Sequence, residues 1–390
     1  MKEAASIDEQ SMRRALDLAR AGVGLVSPNP AVGAVVADPS GRQVGAGTHT
    51  YDGIKHAEVL ALEQAGIAAR GGTLYLNLEP CSHQGRTGPC SDAVIAAGIR
   101  RVVCSMQDPN PQVAGQGFAK LRAAEIKVEV GLFEAEAKKL NESFAKYILR
   151  GKPLVTLKSA MTLDGKIADA TKPGAEPGSS APATEGARSG YHWITGEVAR
   201  AHVQQLRHQH DAIMAGVGTV LADDPLLTDR SALPRRRKLL RVILDTYLRV
   251  PITSRVIQTA EQDVLILCSS AEEQPRLALE AKGIRVQQIA ATTDGRPDFA
   301  AISESLGKLE ITSLLIEGGA LVNGAALASG EVDKVFLYYA PKIFGEGAVP
   351  FISGESLHGR TQCVQRFELH RFGEDFAVEG YLRDPYTGHS

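Results

Sequence analysis

Three side chains in the first quarter of this sequence can share one metal ion: His56, Cys81 and Cys90. One imidazole and two thiolates make a donor set suited to Zn²⁺. Three protein ligands leave one tetrahedral position open for water, as catalytic zinc requires. Glu58 follows His56 by two residues, placed to carry protons beside the metal rather than to bind it. A closed structural site is the alternative, with His49, His83 or Cys104 as fourth ligand and Glu58 a surface carboxylate. Two ordinary buried thiols, with His56 a satisfied polar residue, are the other alternative.

Zinc enzymes that deaminate nucleobases carry H-x-E followed by P-C-x-x-C. Here Cys90 lies nine residues beyond Pro80-Cys81. A straight helix turns through about 900° in nine residues, which puts the two thiols on opposite faces. They meet at one ion only if the chain between them loops back, and Gly85, Gly88 and Pro89 supply that loop. The loop also carries Ser82, His83, Arg86 and Thr87, which can hold a phosphorylated substrate near the metal.

The second half is less sharply encoded. Glu317-Gly318-Gly319 and Gly216-Val217-Gly218-Thr219 each place glycines at a strand end, the latter followed by Ala222-Asp223-Asp224-Pro225. Such turns let a backbone approach phosphate, and together they point to a nucleotide cofactor in a cleft outside the strand termini. Glycines serving only the strand–helix turn are the equal alternative. The G-x-G-x-x-G fingerprint is absent, since Gly318, Gly319 and Gly324 are spaced differently.

The elements that must position these groups follow from periodicity. A helix is expected over 7–22, capped by Ser6 or Asp8, and an antiparallel pair at 32–37 and 44–48. A helix over 56–65 carries His56 and Glu58 in its first turn. A buried strand over 73–78 leads to Pro80, which suits the first turn of a helix whose N–H groups favour the Cys81 thiolate. Helices at 91–97 and 117–124 alternate with strands at 101–106 and 128–130. This pattern gives a three-layer α/β sandwich around a mixed sheet. One long helix over 132–149 ends at Gly151-Lys152-Pro153, the expected boundary between domains 1–150 and 151–390. The second domain is again α/β. Strands are expected at 154–160, 212–215, 240–245, 264–268, 284–289, 313–316, 335–340, 363–372 and 375–382. Helices are expected at 197–206, capped by Thr195, and at 272–282, 298–306 and 320–328. Residues 170–190 contain no Leu, Ile, Val or Phe and read as a mobile surface insertion.

Composition narrows the function classes. A chain of 390 residues exceeds one comfortable core. A formal net charge of −2 gives no overall attraction to nucleic acid or anionic membranes. No apolar run approaches a membrane span, and no signal segment is read at the start. Five cysteines make no disulfide framework, so Cys104, Cys268 and Cys363 read as buried reduced thiols in a cytoplasmic protein.

The combined motifs resemble a known family. His56-Ala57-Glu58 with the run from Pro80 to Cys90, and Gln107-Asp108-Pro109-Asn110-Pro111, closely resemble the deaminase of riboflavin biosynthesis. Leu157-Lys158, the run from Leu163 to Ala168, Trp193-Ile194-Thr195-Gly196, Leu221-Ala222-Asp223-Asp224-Pro225 and Glu317-Gly318-Gly319 resemble its fused reductase. The likeness covers nearly the full length apart from 170–190. It implies a cytidine-deaminase-like domain followed by an NADPH-dependent domain of dihydrofolate-reductase-like fold. The implied substrate is a small molecule, 2,5-diamino-6-ribosylamino-4(3H)-pyrimidinone 5′-phosphate, deaminated first and then reduced in its ribosyl group. The resemblance also implies zinc on His56, Cys81 and Cys90, proton transfer by Glu58, and substrate contacts from Asn29, His49, His83, Arg86, Asp108 and Asn110. In the second domain it implies NADPH contacts from Ala160, Trp193, Thr219, Asp223, Thr246, Gly319, Ala320, Leu321, Val322, Asn323, Gly324 and Ala325. Lys158, Arg207, Leu227, Arg230 and Glu317 are implied on the substrate. Tyr191 departs from the small serine usual before the tryptophan. Family members self-associate, which implies a homo-oligomer.

Overall fold

The computed structural model describes residues 6–85, 88–169, 193–354 and 361–387. Arg86, Tyr191 and the expected insertion at 170–190 lie outside them. Two compact units form: Met1–Gly151 with Pro234–Arg237 and Pro385–Ser390, and Lys152–Leu233 with Lys238–Asp384.

The first unit opens with α1 (Ile7–Ala21), where Ser6 and Glu9 close a reciprocal capping box. It continues through β1 (Gly33–Ala37), β2 (Gln43–Thr48), α2 (Ala57–Ala65), β3 (Thr73–Leu76), α3 (Cys90–Ala96), β4 (Arg101–Cys104), α4 (Gln116–Ala123), β5 (Lys127–Val130), α5 (Glu134–Leu140) and α6 (Glu142–Arg150). The sheet order is β2-β1-β3-β4-β5, antiparallel as far as β3 and parallel beyond.

Two glycines of the hairpin set the layers. A Cβ on Gly33 would lie 2.1 Å from the Ala15 carbonyl oxygen of α1, and one on Gly47 would lie 2.1 Å from the Ala57 oxygen of α2. Gly33 is opposite Thr48, while Gly47 is opposite Ala34. Neighbouring register positions face opposite sides of a sheet. The two helices therefore press on opposite faces, giving three layers, with Leu16, Leu74, Leu76 and Val102 in the core.

Two local expectations for this unit fail. No helix begins at Pro80; α3 starts at Cys90, after Pro89. The helix expected over 132–149 is broken at Asn141, which leaves helical backbone at φ −108°, ψ 16°. Its buried side chain accepts from the Ala31 N–H at 2.8 Å and donates to the Ala31 carbonyl at 3.1 Å. Satisfying these buried backbone groups outweighs helix continuity.

The second unit contains β6 (Leu154–Thr162), β7 (Lys166–Ala168), α7 (Glu197–Gln209), β8 (Ala212–Gly216), α8 (Val217–Asp223), β9 (Leu240–Leu244), α9 (Arg255–Gln258) and β10 (Val264–Cys268). Then come α10 (Glu273–Glu280), β11 (Arg285–Gln288), α11 (Phe299–Lys308), β12 (Ser313–Ile316), α12 (Ala320–Ser329), β13 (Lys334–Ala340), β14 (Val349–Pro350), β15 (Gln365–Phe372) and β16 (Asp375–Tyr381). Nine strands form one sheet in the order β11-β10-β9-β8-β12-β6-β13-β16-β15. It is parallel from β11 to β13, and β16 and β15 join antiparallel. The fully buried residues of β8 and β10 are what a parallel sheet covered on both faces demands.

Thr195 does not cap α7. Gly196 stands at the cap, and the Asp375 carboxylate accepts its N–H at 2.7 Å. A helix, α8, replaces the turn expected after Gly216. All five cysteines are free thiols, and Cys363 is exposed rather than buried. No helix among the described residues is long and apolar enough to cross a membrane.

Candidate active sites

His56 ends the loop that precedes α2, and its side chain makes no capping bond to the helix. Its ring turns instead to the two cysteines. Nδ1 lies 3.1 Å from the Cys90 sulfur and 3.6 Å from that of Cys81. Bonds of about 2.3 Å to sulfur and about 2.0 Å to nitrogen place tetrahedral donors roughly 3.5–3.8 Å apart, so this cradle fits zinc. The chain between the cysteines does loop back, and the N–H of Cys90 donates to the Cys81 sulfur at 3.3 Å.

The electrostatics favour a thiolate at Cys81. The Cys90 thiol, the His56 ring and the Cys90 N–H all stabilise Cys81 as thiolate, lowering its pKa to about 4 against the opposing effect of burial. The Cys90 thiol, donating to that sulfur, is pushed up. Glu58 is 3% exposed, and burial raises its pKa. A carboxyl moved towards neutrality can both accept and return a proton.

Among the described residues no further His, Cys, Asp or Glu joins this donor set. His49 is engaged elsewhere: Nδ1 donates to the Lys55 carbonyl at 3.0 Å, which leaves Nε2 to accept from Asn29 Nδ2 at 3.0 Å. The Cys104 thiol donates to the Met106 carbonyl at 3.3 Å. The geometry thus favours an open, catalytic site over a closed structural one.

Of the groups expected on the substrate, Arg86 lies outside the described residues, and His49 and Asp108 stand near the cradle. The His49 ring stands edge-on to His56, with centroids 5.3 Å apart. His83 is exposed, close enough to Asp108 for its charge to act on the carboxyl. Asp108 has a pKa raised to about 6 by burial, with Glu79 adding to the rise. Asp108 accepts from the Asn110 N–H at 2.8 Å. Sequence reasoning gave no role to Glu79. Its buried carboxylate accepts from the N–H groups of Asp108 (3.2 Å), Gly115 (2.9 Å) and Phe118 (3.2 Å), and so fixes the Asp108–Asn110 turn. Its only sequence signal is a carboxylate closing a buried strand next to Pro80-Cys81.

In the second unit Lys158 in the middle of β6, Arg207 of α7 and Glu317 just past the end of β12 form an ion cluster. Glu317 accepts from Arg207 Nε at 2.7 Å and Nη2 at 3.1 Å, and from Lys158 Nζ at 3.3 Å. Burial opposes ionisation of Glu317, but the charges of Arg207 and Lys158 prevail and hold its pKa at about 2. Arg207 also donates to the Thr228 carbonyl at 2.8 Å. Arg230 is exposed, with Arg207 and Arg255 near enough to lower its pKa after burial does. Leu227 is buried with a positive φ of 55°.

The surface expected to take the cofactor contains two helix starts. Gly216 caps α8 and Gly319 caps α12, neither with a side-chain cap, at the ends of the paired parallel strands β8 and β12. Uncapped N–H groups on adjacent helices suit a pyrophosphate, so these residues fit a dinucleotide. A Cβ on Gly216 or on Gly318 would meet Val322 at 2.7 Å. Those two glycines therefore serve helix packing. Gly319 faces Thr219, whose Oγ1 lies 3.5 Å from a Cβ built there. Leu321 is exposed, and Val322, Ala325, Ala160, Thr219 and Thr246 are partly exposed. Ala320 is buried at the helix start. Asn323 and Gly324 face inward, with Asn323 donating to the Phe351 carbonyl at 3.0 Å. Asp223 is exposed, as is Trp193, which has Arg200 5.0 Å over its ring.

Comparison with known proteins agrees with both halves. The cytidine and deoxycytidylate deaminase zinc-binding region matches residues 5–106, and the RibD C-terminal domain matches residues 153–378. Riboflavin biosynthesis protein RibD of Aquifex aeolicus is 40% identical over 372 residues, which is 95% of this chain and 98% of that protein. The chain belongs to the RibD family.

Solved structures extend the match. RibD of Acinetobacter baumannii superimposes with a TM-score of 0.78 at 34% identity, covering 96% of this chain and 98% of that one. A Thermotoga maritima structure, described as a diaminohydroxyphosphoribosylaminopyrimidine deaminase/5-amino-6-(5-phosphoribosylamino)uracil reductase, gives 0.76 at 36% identity with the same coverages. Like the RibD family, this chain is a bifunctional enzyme of riboflavin biosynthesis, a zinc-binding deaminase joined to an NADPH-dependent reductase.

Proposed function

We propose that the chain hydrolyses the 2-amino group of 2,5-diamino-6-ribosylamino-4(3H)-pyrimidinone 5′-phosphate. It then reduces the ribosyl group with NADPH to give 5-amino-6-ribitylamino-uracil 5′-phosphate. Residues 1–150 carry the deaminase and 151–390 the reductase. The observation that carries the reading is the cradle of His56, Cys81 and Cys90 beside buried Glu58.

Zinc held there supplies a Lewis acid that makes water nucleophilic near neutral pH. Glu58 takes the proton of that water, delivers it to the ring nitrogen, and assists departure of ammonia. Asn29, its amide oriented by His49, presents Oδ1 to donors on the pyrimidine. Asp108 and Asn110 face the same substrate, and Arg86 with His83 takes its phosphate.

NADPH supplies the hydride for the second step. Lys158, held by Glu317, is placed to polarise the ring-opened imine of the ribosylamine. Arg207 and Arg230 are two guanidinium groups that suit one phosphate.

We further infer a cytoplasmic homo-oligomer. Five free thiols suit a reducing compartment. The sheet edge β15 exposes Phe367 (61%) and Leu369 (68%), an apolar edge that association would cover. Mass spectrometry of product with and without NADPH tests the main reading. Without NADPH, deaminated ribosylamino-uracil phosphate should accumulate. Turnover of cytidine but not of the diaminopyrimidine phosphate would overturn it.

A further inference from the structure

We propose that Arg236 is a positioning residue of the deaminase site, clamping together the two loops that carry Asn29 and His49. The inference rests on the reading of those two residues as substrate contacts. Arg236 lies far downstream of Gly151 in the chain, yet Pro234–Arg237 belongs to the first compact unit.

Its attachments are specific. The Arg236 N–H donates to the Gly24 carbonyl at 2.8 Å, and Nη1 donates to the Ser27 carbonyl at 2.8 Å. The guanidinium lies 3.5 Å over the Tyr51 ring centre, and Nε is 3.5 Å from Asp52 Oδ1. Arg237 adds a bond to Ser27 Oγ at 3.0 Å. Ser27 is two residues before Asn29, and Tyr51 is two residues after His49.

One planar group thus grips both loops, each two residues from the side chain that matters. The loops also meet at the Tyr51 N–H to Leu25 carbonyl bond (3.1 Å), the His49 N–H to Val32 carbonyl bond (3.0 Å) and the Asn29–His49 bond (3.0 Å). A guanidinium can donate in its plane while its face covers a ring; a lysine ammonium cannot do both. The side chain is 21% exposed, so these contacts are only partly screened. Three consecutive arginines, Arg235 to Arg237, would ordinarily read as a solvated basic run. Here the middle one turns inward onto a substrate loop.

The test is steady-state deamination by full-length Arg236→Ala, Arg236→Lys, Tyr51→Leu and Asn29→Ala, with zinc content and reductase activity measured on each. Loss of a charged hydrogen bond and a cation–π contact should raise the deaminase KM about tenfold. Change in kcat should stay within about twofold, with zinc and reduction unchanged, because the loss is in ground-state binding. Arg236→Lys should not rescue. Tyr51→Leu should raise KM in the same direction, and the double variant should be no worse than Arg236→Ala alone, since that variant has already lost the cation–π contact. Unchanged KM in Arg236→Ala, or effects of the two substitutions that multiply, would overturn the clamp. Should Arg236→Ala fail to fold, Tyr51→Leu decides by the same split of KM and kcat. Asn29→Ala separates the premises: unchanged KM there refutes the reading of the pocket. A raised KM there with a normal Arg236→Ala refutes only the clamp.

Discussion

The backbone N–H of Cys90 points at the sulfur of Cys81, 3.3 Å away. Cys90 is also the first residue of α3, so one residue offers a metal ligand and a donor from a helix start. The positive end of that helix stabilises the neighbouring thiolate. The long spacer between the cysteines is what lets the chain return to this geometry.

Cys81→Ser should therefore remove zinc and abolish deamination, because a neutral hydroxyl is a poor zinc ligand. Reduction of chemically supplied deaminated intermediate should continue, since Lys158, Arg207 and Glu317 lie in the other unit. Zinc analysis with NADPH oxidation measured on the same sample checks both halves. Loss of reduction in a folded Cys81→Ser protein would show that the activities are not independent.

Glu58→Gln should separate metal from chemistry. The amide matches the buried carboxylate in size but cannot shuttle a proton. We expect zinc content to persist and ammonia release to fall by about 10²–10⁴-fold. If zinc left together with activity, Glu58 would be a structural support for the cradle instead.

Gly47→Ala tests how β2 places the metal ligand. The new Cβ would sit 2.1 Å from the Ala57 oxygen and 2.9 Å from the Ala61 nitrogen. Both are backbone atoms of α2, so the helix start must shift, and His56 with it. Overpacking of this kind costs about 1–3 kcal/mol or more. The variant should lose zinc to a chelator faster than wild type while reducing normally. Equal chelation rates would mean that α2 is not held by this contact.

These cases show what could be read from the sequence. The meeting of His56, Cys81 and Cys90 beside Glu58 was legible because ligand chemistry restricts residue types, and a loop can absorb any spacing between them. Strands such as Val264–Cys268 and Ser313–Ile316 were legible because burial on both faces leaves continuous apolar runs. Glu79 was not, since its partners are N–H groups 29, 36 and 39 residues away. The break at Asn141 was hidden likewise, its partner Ala31 being 110 residues distant. Arg236 was not legible either, because only tertiary structure shows what a guanidinium covers. Gly216 and Gly318 looked ready for phosphate, yet Val322 occupies the space where their Cβ atoms would stand.

Glu317 links reductase function to acid stability. Its pKa is about 2 in the fold against an ordinary 4.5, because the Arg207 and Lys158 charges outweigh burial. A depressed carboxylate pKa contributes stability that is complete above about pH 4.5 and is lost as pH falls towards 2. The shift corresponds to about 3 kcal/mol, little reduced by solvent because the side chain is only 12% exposed. Glu317→Gln leaves two partly buried cations without their counter-charge. It should destabilise the second unit by about that amount at pH 7 and impair reduction, while deamination continues. Denaturant melts of both proteins from pH 7 down to pH 3 check the sign: the gap between them must narrow below about pH 4.5, as the carboxylate of the unfolded wild-type chain takes up its proton while that of the folded chain stays ionised. A gap that stayed constant over that range would mean that Glu317 stabilises the unit by packing alone, and that the charges of Arg207 and Lys158 are balanced elsewhere.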